Sequence, residues 1–177
     1  TGPPSRFSPT ATSSPPSSIS TVTKWRVRVT TCSALNSQTG AGNGIGRAIA
    51  DALAQSGARV LYADLDRAEA EQAASAWPSA AAVAMDVTDE TQIRAVVEAA
   101  ARDGGRIDIL VNNAGVNALA HRVPIDQFPR EEWDRILDVD LTGLYLVSKA
   151  VVPLMRRQRS GRIEAIPLAD FLAELPQ

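Results

Sequence analysis

From Gly40 onward the spacing of apolar residues switches repeatedly between two periods, and that alternation leaves few folds open. Ile45, Ala48, Ile49, Ala52 and Leu53 recur at helical spacing and stop at Gly57, which predicts a helix over 44–56 with a glycine cap. Arg59 to Ala63 then reads as a buried strand. A second helical stretch, 67–76, is closed by Pro78, and the apolar run Ala80 to Met85 predicts a third strand. Ile93, Val96, Val97, Ala100 and Ala101 mark one face of a helix from about 89 to Gly104-Gly105, and Ile107 to Val111 is again a strand. Trp133, Ile136, Leu137, Leu144, Val147, Val151 and Met155 fall on one stripe, predicting a single long helix over 130–158. Strands that alternate with helices in this way pair in parallel through right-handed crossovers, so the predicted fold class is α/β with a doubly wound parallel sheet. The weak element is the first strand: 33–38 reads SALNSQ rather than a Val/Ile-rich run, and Val27 and Val29 lie too far upstream to replace it simply.

The chain of 177 residues suits one globular domain, but its two ends differ from the middle. Residues 1–36 are rich in Ser, Thr and Pro, carry Arg6, Lys24, Arg26 and Arg28, and predict a disordered leader. Such an acid-free, Arg-containing stretch also resembles an organellar transit peptide, the alternative to a plain leader on a cytoplasmic protein. Residues 37–166 form the predicted folded part and 167–177 a divergent tail. All 20 Asp and Glu lie from Asp51 onward, so the folded part is distinctly acidic, which argues against a nucleic-acid partner. The most apolar stretch, Leu141 to Met155, is interrupted by Thr142, Ser148 and Lys149, which argues against a membrane span. Cys32 and His121 are each the only residue of their type, too few for a cysteine or histidine metal site, and no metal is expected.

The chemistry gathers at the ends of predicted strands. Residues 39–46 read TGAGNGIG, with Gly40, Gly44 and Gly46 at Gly-x-x-x-Gly-x-Gly spacing before a helix. Glycines there allow a tight turn and close backbone approach, so that a pyrophosphate can rest on amides at the helix N-terminus; an ordinary glycine-rich turn is the plainer reading. Asp64 lies 24 residues after Gly40, where a carboxylate can accept from an adenosine ribose and repel a 2′-phosphate, or merely cap a helix. With Asn43 rather than a basic residue in the loop, NAD is favoured; Arg67 keeps NADP as the alternative. Two further strand ends carry Asp86-Val87 and Asn112-Asn113-Ala114-Gly115. Asp86 reads as an acceptor for an adenine amino group, and Asn113, Ala114 and Gly115 as a path for a cofactor close to backbone; alone, each reads equally as a helix cap or a turn.

TGAGNGIG, the Asp64 spacing, MDVTD at 85–89 and NNAG at 112–115, in this order, resemble the short-chain dehydrogenase/reductase family, and the resemblance runs from about Thr39 to Ile163. It implies a Rossmann-like fold and NAD(P)-dependent interconversion of alcohols and ketones by hydride transfer. It also implies cofactor-binding roles for Gly40, Gly42, Asn43, Gly44, Ile45, Gly46, Asp64, Leu65, Asp86, Val87, Asn113, Ala114 and Gly115. The family's catalytic Asn falls at Asp140, which reads either as part of a proton relay or as a plain helix-interior carboxylate. The family's Ser position falls at Pro167-Leu168, and no Tyr-x-x-x-Lys pair follows Gly161; Tyr145 and Lys149 match the spacing but precede the fifth strand and are expected to be a decoy. The resemblance therefore implies an incomplete sheet that binds a dinucleotide without turning over an alcohol or ketone by itself, with a homo-oligomer doubtful. Leader and tail differ from the middle as a shifted reading frame would make them differ. The other reading is a non-catalytic dinucleotide-binding or interaction protein whose long helix exposes Leu144, Val147 and Val151 to a partner.

Overall fold

The computed structural model describes residues 28–32, 41–42, 44–104, 106–117 and 123–165. The expected leader upstream of Arg28, the segment 33–38, Gly40, Asn43, His121 and the tail 167–177 lie outside the described residues.

Five strands form one parallel sheet: β1 (Arg28–Cys32), β2 (Arg59–Asp64), β3 (Ala81–Ala84), β4 (Ile109–Asn112) and β5 (Arg162–Ala165), in the spatial order β3-β2-β1-β4-β5. The connections are α1 (Gly44–Gln55), α2 (Arg67–Ala74), α3 (Glu90–Gly104) and an arm built of α4 (Arg130–Leu137), a π-helical segment (Asp138–Gly143) and α5 (Leu144–Gln158). The doubly wound parallel sheet expected from the alternation is present.

The central strand corrects the sequence reading. β1 lies within the stretch expected to be leader, and Val29, judged too far upstream, pairs with Val60 on one side and Ile109 on the other. The run RVTTC is β-branched at three successive positions, which suits a strand, but its threonines blend into the Ser/Thr-rich residues before it.

Side chains alternate across the sheet, so each strand feeds two cores. From β2, Val60 and Tyr62 join Ala50, Ala54, Ala70, Ala73 and Ala74 under α1 and α2, while Ala63 faces the opposite layer. That layer packs Leu110 of β4 against Ile93, Val96 and Val97 of α3 and Val147, Val151 and Met155 of α5. The first core is mostly alanine, so its helices lie close on the sheet, and Tyr62 fills the space beneath them. Its hydroxyl donates to Asp51 Oδ1 (2.7 Å), which also accepts from the Trp77 indole (2.8 Å) and so ties α1, β2 and the turn after α2 together. Burial and the Asp51 carboxylate both push the Tyr62 phenol well above its ordinary range.

Element ends follow local chemistry. α1 closes at Gly57, whose φ is +86°, with the Ala58 amide donating to Leu53 O. α2 starts from Asp66, whose Oδ1 accepts from the amides of Ala68 and Glu69. The buried stripe of α1 is Gly46, Ala50 and Ala54, one position on from the expected one, and it leaves Ile45 exposed.

The arm is not the single α-helix expected. A π-helical turn interrupts it, and Val147 and Val151 point into the core against Ile93, Val96 and Val97 of α3 rather than outward. This overturns their expected exposure; the apolar groups left outside on the arm are Trp133, Leu141 (62% exposed) and Tyr145 (58%).

These placements separate two leucines. Leu110→Ala is expected to lose about 2–5 kcal/mol of unfolding free energy, because Leu110 is fully buried between α3 and α5. Leu141→Ala is expected to change it by less than about 0.5 kcal/mol. Urea denaturation of both variants measures the difference, and equal losses would contradict this packing.

Candidate functional site

In a doubly wound sheet the C-terminal ends of the strands share one edge, and a crevice opens where the strand order reverses. The reversal falls at β1, flanked by β2 and β4. The segments leaving β2, β3 and β4 meet the arm around a cleft of about 450 Å³. Its walls are Leu65, Asp86, Thr88 and Val116 from the strand ends and Val139 from the π-helical segment, while Glu131, Asp134, Arg135 and Asp138 line it from the arm. Leu65 and Asp86 thus line one cleft.

Asp64, at the end of β2, is 3% exposed and turned into the glycine turn. The Gly42 amide donates to its Oδ2 (3.2 Å) and the Asp66 amide to its Oδ1 (3.0 Å). Helix capping falls to Asp66, so Asp64 is free to fasten the turn to the sheet; each oxygen keeps a second lone pair. Gly42 sits where only a glycine fits, because a Cβ there would lie 2.4 Å from Glu69 Cβ and 2.8 Å from the Glu69 carbonyl carbon. Its place is therefore against α2, with its amide committed to Asp64. Gly44 opens α1 at φ +60°, a left-handed conformation that glycine adopts without strain, and Gly46 is buried beneath the helix start.

Asp86 is held by its own turn: Oδ1 accepts from the amide (2.8 Å) and hydroxyl (2.7 Å) of Thr88, while its amide donates to Gln92 Oε1. Val87 points into the core instead of the cleft, against Gly143, where a Cβ would meet it at 2.7 Å. Asn112 is buried and donates to Ser148 Oγ (3.2 Å). Asn113, Ala114 and Gly115 lead from it into the loop that carries Val116, and each stays partly accessible.

Asp140 stands in the middle of the π-helical segment, half-buried, and its Oδ1 accepts from the Val116 amide (2.8 Å). The carboxylate faces Gly115, 3.6 Å from where a Cβ would stand. One turn back, Arg135 donates to Asn117 O (3.2 Å) and pairs with Glu132 (2.8 Å). Arg135 carried no sequence signal, since on an amphipathic helix it looks like part of an ordinary solvated face. Tyr145 and Lys149 do not line the cleft: Lys149 lies 5.7 Å from the Tyr145 ring centroid and donates to Glu90 Oε1 (3.0 Å).

Burial pushes the Asp140 carboxyl above its ordinary value, while the Val116 amide and Arg135 pull it back. The folded protein thus holds this proton more tightly than the unfolded chain. The stability this contributes is full below the unfolded carboxyl value, about 3.9, and is lost as pH rises through the folded one. Asp140→Asn keeps an oxygen for the Val116 amide and removes the charge. Its denaturation midpoint is expected above that of the unsubstituted chain near neutral pH, with the gap narrowing toward pH about 4. A gap that widens on acidification would contradict this sign.

Comparisons with known proteins agree with this geometry. A family model described as short chain dehydrogenase matches residues 38–166. Galactitol 2-dehydrogenase of Agrobacterium fabrum is 46% identical over 127 residues, covering 71% of this chain and 48% of that protein. The 3-oxoacyl-[acyl-carrier-protein] reductase FabG of Thermotoga maritima is 39% identical over 129 residues, covering 71% and 51%. The crystal structure of 3-ketoacyl-(acyl-carrier-protein) reductase from Brucella melitensis complexed with NADH superposes with a TM-score of 0.66 at 36% identity, over 76% of this chain and 52% of that one. The chain spans about half the length of the curated relatives it matches. A parallel sheet reversing at β1, a glycine turn fastened to the acidic end of β2, and these matches together place the chain in the short-chain dehydrogenase family.

Proposed function

We propose that this chain binds a nicotinamide dinucleotide by its adenosine half, as the cofactor-binding part of an NAD-dependent oxidoreductase that interconverts alcohols and ketones. The observation that carries this reading is the cleft at the strand-order reversal, apolar on Leu65, Val116 and Val139 and carrying the Asp86 carboxylate. A flat aromatic base fits between such walls, and Asp86 accepts from its amino group. Asp64 offers its remaining lone pairs to ribose hydroxyls while holding Gly42. Gly44, Ile45 and Gly46 begin α1, where the positive end of the helix dipole favours a pyrophosphate. Asn113, Ala114 and Gly115 give the cofactor its path beside β4, and Gly40 and Asn43 complete the motif in sequence.

NAD rather than NADP follows from charge. Asp64 repels a 2′-phosphate, and Arg67, the nearby cation that favours one, pairs with Glu71 on its own helix (2.7 Å). When bound, the nicotinamide supplies the hydride chemistry. Proton transfer in this family rests on a Ser and a Tyr-x-x-x-Lys pair that these 177 residues do not supply after Gly161. Tyr145 does not replace them, because it and Lys149 lie outside the cleft.

Isothermal titration of the chain with NADH and NADPH tests the reading. NADH is expected to bind at least about tenfold more tightly, and Asp64→Ala to weaken NADH binding about ten- to a hundredfold, the range of a lost hydrogen bond to a charged group. Alcohol oxidation by the chain alone is expected to stay at background. Equal affinity for the two cofactors overturns the specificity, absence of binding overturns the function, and turnover overturns the reading that Tyr145 and Lys149 take no part in proton transfer.

A further inference from the structure

We propose that Asp140 and Arg135 are positioning residues that pin the loop after β4 to the helical arm, so that the charge on Asp140 sets how firmly the dinucleotide cleft is held closed. The inference rests on the proposed dinucleotide cleft and adds a regulation to it. Two of the cleft's apolar walls, Val116 and Val139, belong to different parts of the chain, and they are joined through the residue next to Val139. Asp140 Oδ1 takes the Val116 amide (2.8 Å), and Arg135 takes the carbonyl of Asn117, the following residue (3.2 Å). One anionic acceptor and one cationic donor of the arm thus grip consecutive residues, Val116 and Asn117.

The pin has an electrical component because Asp140 is an acid and is partly shielded from water. A hydrogen bond from an amide to a carboxylate is roughly twice as strong as one to a neutral acceptor. Protonation removes that advantage together with the attraction to Arg135. The loop side, Asn113 to Asn117, brings no ionisable side chain to Asp140, and Arg135 is the cation that acts on it from α4. The other charges facing the cleft are the carboxylates of Asp86, Glu131, Asp134 and Asp138, which share the sign of Asp140. Burial disfavours ionisation and outweighs the Val116 amide and Arg135, so the carboxyl loses its charge at a less acidic pH than an exposed aspartate does.

The test uses the full chain in two measurements. The first needs no ligand: the ¹H–¹⁵N resonance of the Val116 amide is followed from pH about 7.5 down toward the unfolded carboxyl value of about 3.9. It is expected to titrate in the unsubstituted chain and to stay flat in Asp140→Asn, which is isosteric and keeps the acceptor. In the second, NADH affinity is measured over the same range. It is expected to weaken about three- to tenfold on acidification in the unsubstituted chain, to be independent of pH in Asp140→Asn, and to fall at every pH in Arg135→Gln. An amide that does not titrate overturns the pin whatever the cofactor does. A titrating amide with NADH affinity that follows the same pH profile in Asp140→Asn overturns the link to the cleft. A titrating amide with no NADH binding at any pH overturns the dinucleotide reading itself, and the regulation with it.

Discussion

Parallel strands cannot be joined by tight turns. Each must be left at its C-terminal end and re-entered at its N-terminal end, and the helix that makes the return trip covers one face of the sheet. The rest of this molecule depends on that constraint. It buries both faces of the sheet, and so demands the two separate cores around Tyr62 and Leu110. It also delivers the departing segments of β2, β3 and β4 to one edge, which is why Leu65, Asp86 and Val116 line a common cleft although they are far apart in sequence.

At that edge the chain repeatedly solves one problem with one chemical device. Strands end there in backbone amides that no longer have a ladder partner, and carboxylates supply the acceptors. Asp64 takes the amides of Gly42 and Asp66, Asp86 takes that of Thr88, and Asp140 takes that of Val116. The acidic character of the folded part is therefore partly architectural. These groups fix the loops whose free surfaces form the cleft, and the proposed binding of a dinucleotide depends on that fixing as much as on any direct contact.

The sequence made the sheet and most helices legible wherever the hydrophobic period was clean. The stripe of α3 was read correctly at Ile93, Val96, Val97 and Ala100, because a helix buried on one face against a sheet must repeat every three to four residues. β1 was missed because β-branched threonines satisfy a strand but do not stand out from a Ser/Thr-rich background. The break in the arm was missed because the same apolar residues fit one continuous stripe on paper, and the π-helical turn leaves no mark in the spacing.

By itself, then, the sequence determined the fold class, the order of elements, and which motifs stand at strand ends, because period and glycine placement are local properties of the chain. Only the tertiary structure decided what those motifs touch. It turned Gly42 toward α2 and Asp64, sent Val87 into the core, and set Arg135 and Asp140 against a loop some twenty residues away. Hydrogen bonds and packing of that kind depend on where the crossovers bring each strand end, and no spacing along the chain encodes the meeting of two segments in space.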